Sequence, residues 1–365
     1  MKIICVAGAR PNFMKIAPIY EEMVKYEEFN PIILHTGQHY DRNMSQVFFE
    51  ELGIPKPDIS LGVGSGTHAK QTATIMMKFE DVVTEEWPDL VVVVGDVNST
   101  LACSLVSTKL HIPVAHVEAG LRSHNWMMPE EINRVLTDRI SDYLFTPSRD
   151  ADENLLNEGI EISKIHFVGN VMIDTLLKHR EMAKNSEILS QLGLEYKEYA
   201  VLTLHRAENV DDRANLMQIL RALEKIQKEI KIIYPIHPRT RLRIKEFGLQ
   251  PIVDSLENLL LTEPLGYLDF IYLMDNARFV MTDSGGIQEE TTILGVPCLT
   301  LRTETERPIT VKEGTNIVVG LDWDRIVEEA KKILAGMTKE GRIPEKWDGK
   351  AAKRIVDVLR EGKEK

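Results

Sequence analysis

The chain has few cysteines, no dinucleotide fingerprint and no surplus of positive charge. Its three thiols, Cys5, Cys103 and Cys298, lie far apart and lack metal-ligand spacing. Cys5 and Cys298 fall in apolar runs that read as buried strands, and buried reduced thiols imply a reducing compartment. No apolar run approaches the ~18 residues of a membrane helix. No signal-peptide cleavage pattern follows "MKIICVAGA". The expected location is the cytoplasm, with no membrane partner. Acidic residues number 56 against 44 basic ones, a formal net charge of -12, which disfavours wrapping nucleic acid, a task that needs a basic face. A small anionic ligand stays open, because a few cations and helix N-termini hold a phosphate whatever the net charge. No G-x-G-x-x-G is present. The glycine-rich "GVGSGT" at 62–67 lacks the lysine of a P-loop and reads as a lid or a connector.

What is present is a regular alternation. The 365 residues, 43% hydrophobic, suit a soluble protein of two domains. The apolar runs "KIICVAG", "NPIILHTG", "DLVVVVGD", "IPVAHVEAG" and "DYLFTPS" read as strands buried on both faces. Segments 14–26, 72–87, 100–110 and 132–140 between them have helical spacing. That is the pattern of a parallel sheet covered on two sides. "IHFVGN" closes the first set and 171–183 reads as a linking helix. The alternation then restarts with "YAVLTLHR", "KIIYPIHP", "NLLLTEP", "ARFVMTDS", "VPCLTLR" and "TNIVVG". The expected fold is α/β, two doubly wound Rossmann-like domains facing a cleft. One spans 1–170 and the other 171–349. A last helix, 350–361, can pack on either and is assigned to the first.

Ligands in such sheets sit beyond the carboxyl ends of the strands, so the residues after each strand are the candidates. In "GARPNFMKIAP", Arg10 and Lys15 straddle a helix start, an anion site. Asp96 ends one apolar strand and Glu118 another, and "MMPEEINRV" adds Glu131. Three acids converging on one cleft suit proton transfer. Ser99, Thr100 and Asp96 are the candidate caps of the helix that follows. In the second half, "LTLHRAENV" places His205, Arg206 and Glu208 after a strand. His205 can donate to a phosphate oxygen, whereas His237 in "YPIHPRTR" reads as structural. "MTDSGGIQEE" makes a tight turn at Ser284, Gly285 and Gly286 into a helix whose N–H groups can approach a diphosphate. Glu290 lies about one and a half turns on and can accept from both hydroxyls of a ribose. Glu289 points about 100° away and reads as a packing or surface residue. Arg302, Arg307 or both fall near the same phosphates.

Eight stretches in this order, "GARPNFMKIAP", "TGQHYD", "VGDVNST", "HVEAGLRS", "PEEINR", "HRAEN", "DSGGIQEE" and "TERPITV…GTN", resemble the non-hydrolysing UDP-N-acetylglucosamine 2-epimerases over nearly the whole chain. The resemblance implies the fold called glycosyltransferase B, an active site between domains, no metal or cofactor, and a homodimer. It implies reversible conversion of UDP-N-acetylglucosamine to UDP-N-acetylmannosamine. UDP is eliminated to leave a 2-acetamidoglucal and is then added back. Carried over by motif, the functional positions are Arg10, Lys15, Asp96, Glu118, Glu131, His205, Ser284, Gly285, Gly286, Glu290 and Arg307. Phe270 matches a position near the uracil. Asp96 and Glu131 are assigned the protons and Glu118 the sugar. The chain departs from many bacterial members, which read "QHREM" where this one reads "TGQHYDRNM". Tyr40 and Asp41 replace the Arg-Glu pair and the cation moves to Arg42. The resemblance therefore does not carry activation by a second substrate molecule to this chain. The rival readings are a UDP-2,3-diacetamido-uronic acid 2-epimerase, a hydrolysing epimerase, a glycosyltransferase of the same fold and a non-catalytic sugar-nucleotide binder.

Overall fold

The computed structural model describes residues 1–37, 49 and 53–363. It divides into two compact units, Met1–Thr175 with Glu345–Lys365, and Leu176–Pro344.

Among the described residues the first unit holds a seven-stranded sheet. Its strands are β1 (Lys2–Ala7), β2 (Asn30–His35), β3 (Ile59–Ser60), β4 (Leu90–Val94), β5 (Val114–Val117), β6 (Tyr143–Thr146) and β7 (Ile165–Phe167). The order is β3-β2-β1-β4-β5-β6-β7, and each neighbouring pair is parallel. All five residues of β4 are buried, as expected for a central strand with helices on both faces. Helices α1 (Arg10–Met23), α2 (His68–Glu86), α3 (Asn98–Lys109) and α4 (Pro129–Ile140) follow strands of this sheet. Ile75, Phe79 and Val83, spaced one turn apart on α2, pack with Ile4, Val6, Val91 and Val93.

Residues 62–67 connect β3 to α2. Thr67 caps α2, Gln71 Nε2 donates to the Gly64 carbonyl at 3.0 Å and Lys78 Nζ to the Leu61 carbonyl at 2.7 Å. These ties fit the connector reading. No side chain caps α3; its N-cap is Val97. Ser99 instead meets Thr36 through their hydroxyls at 2.7 Å, and Thr100 Oγ1 donates to the Val94 carbonyl at 2.9 Å.

The C-terminal segment belongs to this unit. Trp347 is buried and its Nε1 donates to the Pro147 carbonyl at 2.9 Å. Asp174 accepts from the N–H groups of Ala351 and Ala352 at 3.1 and 2.8 Å. It thereby caps the last helix, Ala351–Lys363. Gly169 has φ 91°, and a Cβ there would lie 2.9 Å from the Lys346 carbonyl carbon, so only glycine fits.

The second unit repeats the plan with β8 (Tyr199–Thr203), β9 (Lys231–Pro235), β10 (Leu259–Thr262), β11 (Phe279–Thr282), β12 (Cys298–Thr300) and β13 (Asn316–Val318). The order is β10-β9-β8-β11-β12-β13, again parallel throughout. Helix α5 (Arg213–Ile226) lays Leu216, Ile219, Leu220, Leu223 and Ile226 on Leu202, Ile232, Phe279 and Met281. Helices α6 (Tyr267–Asp275) and α7 (Gly285–Leu294) pack on each other. Both units are Rossmann-like. Each sheet reverses its strand order once, between β1 and β4 in the first and between β8 and β11 in the second. Such a reversal opens a crevice at the carboxyl ends of the strands.

Candidate functional site

In the first unit the polar residues gather at that reversal. Beyond β1, Asn12 Oδ1 accepts from the N–H groups of Gly8 and Ala9 at 3.1 and 2.8 Å. Its Nδ2 donates to the Val94 carbonyl at 3.3 Å, tying the ends of β1 and β4. Arg10 opens α1, with Pro11 in its first turn. Lys15, one turn on, forms a buried ion pair with Glu118 Oε2. Glu118 follows β5 at φ 67°, a left-handed conformation that a non-glycine residue adopts at a cost. Its Oε1 is buried with no hydrogen-bond partner among the described residues. Gly95 floors the pair: a Cβ there would lie 3.4 Å from Glu118 Oε2 and 3.5 Å from Lys15 Nζ. The Gly95 carbonyl lies 2.8 Å from His116 Nε2. The other nitrogen of that buried ring lies 2.6 Å from Asp138, which also pairs with Arg122 at 2.7 Å.

Asp96 comes next. Its side chain is 32% exposed, and its Oδ2 accepts from Arg134 Nη1 at 3.1 Å. Arg134 Nε donates to Glu131 Oε2, also at 3.1 Å. Glu131 is buried in the first turn of α4. It accepts further from the Ser123 N–H at 3.0 Å, the Ser123 hydroxyl at 3.1 Å and the His124 N–H at 2.8 Å. Asp96, Glu118 and Glu131 thus each meet a cation, Glu118 through Lys15 and the other two through one shared arginine. Mutual repulsion of bare carboxylates is relieved in this way. In "PEEINR", Arg134 reads from sequence as surface charge on a helix. Only its burial reveals the role.

In the second unit, β8 and β11 end side by side, with the hydroxyls of Thr203 and Thr282 2.7 Å apart. His205 follows β8 and Asp283 follows β11, and their side chains meet at 2.9 Å. Ser284 is the N-cap of α7, and Gly285 and Gly286 are its first two residues. The opening N–H groups of a helix have no intrahelical acceptor and attract anions. Gly285 has a further constraint: a Cβ would lie 2.8 Å from Arg307 Cζ. At Gly286 a Cβ would meet nothing within 4 Å, so that approach is open. Arg307 donates to Glu289 Oε1 and to Glu306 Oε1, each at 2.6 Å. Arg302 is buried between Glu306 at 2.8 Å and Glu208 at 3.1 Å. Glu289 is therefore a buried partner of Arg307, the packing alternative of its two readings.

Glu290 is buried and accepts from Tyr267 Oη at 2.9 Å. Burial pushes its carboxyl up to about 7; the Tyr267 hydroxyl opposes the rise and the charge of Glu289 adds to it. Phe270 lies on α6, less than a turn after Tyr267 and partly buried. His237 caps the helix Pro238–Glu246 by accepting from the Arg239 N–H at 3.2 Å, as a structural histidine does. Gln38, His39, Tyr40, Asp41 and Arg42 lie outside the described residues. Among the described residues no cluster of three or more His, Cys, Asp or Glu side chains is arranged to hold a metal.

One Rossmann-like unit thus offers the start of α7 with His205, Arg307 and the buried carboxyl of Glu290, and the other offers Asp96, Glu118 and Glu131. The fold puts the chain in the glycosyltransferase B class. At 14% identity and TM-score 0.56, the lipopolysaccharide outer core galactosyltransferase WaaB shares that fold. The family is narrower: residues 21–360 match the family model described as UDP-N-acetylglucosamine 2-epimerase, and the chain belongs to that family. It is 46% identical to a UDP-N-acetylglucosamine 2-epimerase of Methanocaldococcus jannaschii, over 100% of both chains. It is 45% identical to a UDP-2,3-diacetamido-2,3-dideoxy-D-glucuronate 2-epimerase of Pseudomonas aeruginosa, over 98% of this chain and 99% of the other. The crystal structure of the M. jannaschii epimerase in complex with UDP-N-acetylglucosamine and UDP superposes with TM-score 0.91, covering 99% of this chain and 100% of the other.

Proposed function

We propose that the protein interconverts UDP-N-acetylglucosamine and UDP-N-acetylmannosamine by eliminating UDP and adding it back to a 2-acetamidoglucal. The hydrogen on C2 is not next to a carbonyl, so direct deprotonation would need a far stronger base than a carboxylate. Expelling the diphosphate develops negative charge that fixed donors must meet. Arg10, His205, Arg307 and the N–H groups of residues 284–286 take that role. Glu290 holds the ribose and Phe270 the uracil. Asp96, the most exposed of the three acids, and Glu131, joined to it through Arg134, handle the protons. Glu118, neutralised on one oxygen by Lys15, positions the sugar with the other. The second unit is thus the UDP-binding domain, and the first carries sugar and acids.

The acid cluster carries this reading over mere binding, because three carboxylates beside an anionic ligand add nothing to its affinity. The P. aeruginosa relative supports a second reading, a diacetamido uronic acid substrate. Measuring kcat/KM for both UDP-sugars decides: a preference of more than about tenfold, or 1.4 kcal/mol, for UDP-N-acetylglucosamine supports the first. Release of free N-acetylmannosamine with UDP would mean a hydrolysing enzyme. We place the protein in the cytoplasm, in keeping with three buried free thiols; among the described residues no helix is long and apolar enough to cross a membrane. It acts as a homodimer. Helix α3 packs against both α2 and α4; α2 exposes Met77, and α4 exposes Ile132 and Leu136, apolar side chains suited to a second copy. Light scattering at twice the chain mass would support this, and a monomer would refute it.

A further inference from the structure

We propose that Asp283 is the positioning residue of His205, holding its Nδ1–H and balancing the charge of the ring when a second proton on Nε2 is donated to the leaving diphosphate; this role rests on the UDP-sugar reading above. Asp283 comes from "MTDSGGIQEE" and is fully buried. Its Oδ1 lies 2.9 Å from His205 Nδ1. The same carboxylate accepts from the backbone N–H of His205 at 3.0 Å and of Arg206 at 2.9 Å. Asn209 Nδ2 donates to it at 3.2 Å. Four donors from one short segment therefore converge on one acid, at the point where the second sheet reverses its strand order. Burial alone would push this carboxyl up. The His205 ring and the two backbone N–H groups outweigh burial and hold it below the usual carboxylate range.

An ionised carboxylate only accepts, so the nitrogen facing it must carry hydrogen. His205 Nδ1 is then N–H, and Nε2, across the ring, is the atom left for substrate; it donates to a diphosphate oxygen once it carries a second proton, and the carboxylate of Asp283 stabilises that cation. The ring side chain is 42% exposed, so that edge is open. The neighbouring His237 ring, 6.4 Å away centroid to centroid, has its Nδ1 occupied by the Arg239 N–H. A purely structural role does not explain the ring contact. The Thr203–Thr282 pair already joins the two strand ends, and Asn209 also donates to the Leu301 carbonyl at 2.9 Å.

The test is a long-range proton–nitrogen correlation spectrum of His205 in free wild-type protein, Asp283→Asn and Asn209→Ala, with UDP binding and turnover of each. Wild type should show the neutral ring protonated at Nδ1. Asp283→Asn, whose amide donates, should shift the ring toward the Nε2–H form. Its kcat should fall on the order of 10–100-fold, by more than KM rises. Asn209→Ala loosens the same segment but should keep the Nδ1–H form. A wild-type ring protonated at Nε2 and not at Nδ1 overturns the proposal even if neither variant folds. So does an Asp283→Asn protein with unchanged tautomer and kcat, or an Asn209→Ala protein that reproduces its shift. Wild-type protein that binds no UDP, with the tautomer as stated, overturns the UDP reading instead.

Discussion

Replacing Glu290 by Gln should make the ligand-free protein more stable above neutral pH while weakening its hold on UDP. Glu290 is buried, and its carboxyl sits at about 7 against the ordinary 4.5. Burial is the main cause, with the Glu289 charge adding and Tyr267 opposing. Between those two values the folded chain binds a proton that the unfolded chain has lost. Stability therefore falls as pH rises from 4.5 to about 7, and stays low above that. A displacement of that size corresponds to about 3 kcal/mol. Gln is close to protonated Glu in shape, and Tyr267 can donate to either, so the two proteins should be similar at pH 4.5. At pH 8 the variant should lead by about 3 kcal/mol. A unit of this size shifts by about 2–4 °C per kcal/mol, so the gap in Tm should be roughly 6–12 °C for melting of the second unit. Calorimetric scans of both proteins at the two pH values measure it. A Tm difference that stays constant with pH would refute the reasoning. The cost falls on function: an amide offers one acceptor where a ribose diol needs two, so UDP should bind on the order of tenfold more weakly, the loss of about 1.4 kcal/mol.

Other outcomes are equally specific. Gly285→Ala places a methyl against the Arg307 guanidinium and should weaken UDP binding by about 10–100-fold, or roughly 1.4–2.8 kcal/mol, by calorimetry, with Gly286→Ala milder in free-protein stability because its surroundings are open. Gly169→Ala should destabilise the first unit by about 2–4 kcal/mol in urea, from positive φ plus the clash with the Lys346 carbonyl. Glu118→Gln strands the buried Lys15 charge and should cost about 3–5 kcal/mol; adding Lys15→Met should recover much of that stability, but not epimerisation.

The two sheets were legible because buried parallel strands are nearly all apolar: "LVVVV" is short and β-branched, which favours a strand over a buried helix, and β4 is buried throughout. Helix starts were less legible. Helix α2 begins at His68 rather than 72 and α4 at Pro129 rather than 132, because first turns are polar and fall outside the apolar period. At the site, residues that end strands stood out, as Asp96, Glu118 and His205 do. The residues that hold them did not. Asp283, Tyr267 and Arg134 act through burial and partners distant in sequence, and spacing along the chain is blind to both. Glu289 and Glu290 are neighbours in sequence. Their 100° separation around α7 anticipated different roles, but that Glu289 pairs with Arg307 required the fold.

Proton NMR of the enzyme with UDP-N-acetylglucosamine in D₂O tests the central claim most directly. Elimination and re-addition predict a growing UDP-N-acetylmannosamine signal, with deuterium entering C2 of both epimers. Interconversion with full retention of the C2 hydrogen would contradict the proposed solvent-exchanging proton transfer, and no conversion at all would contradict the substrate assignment itself.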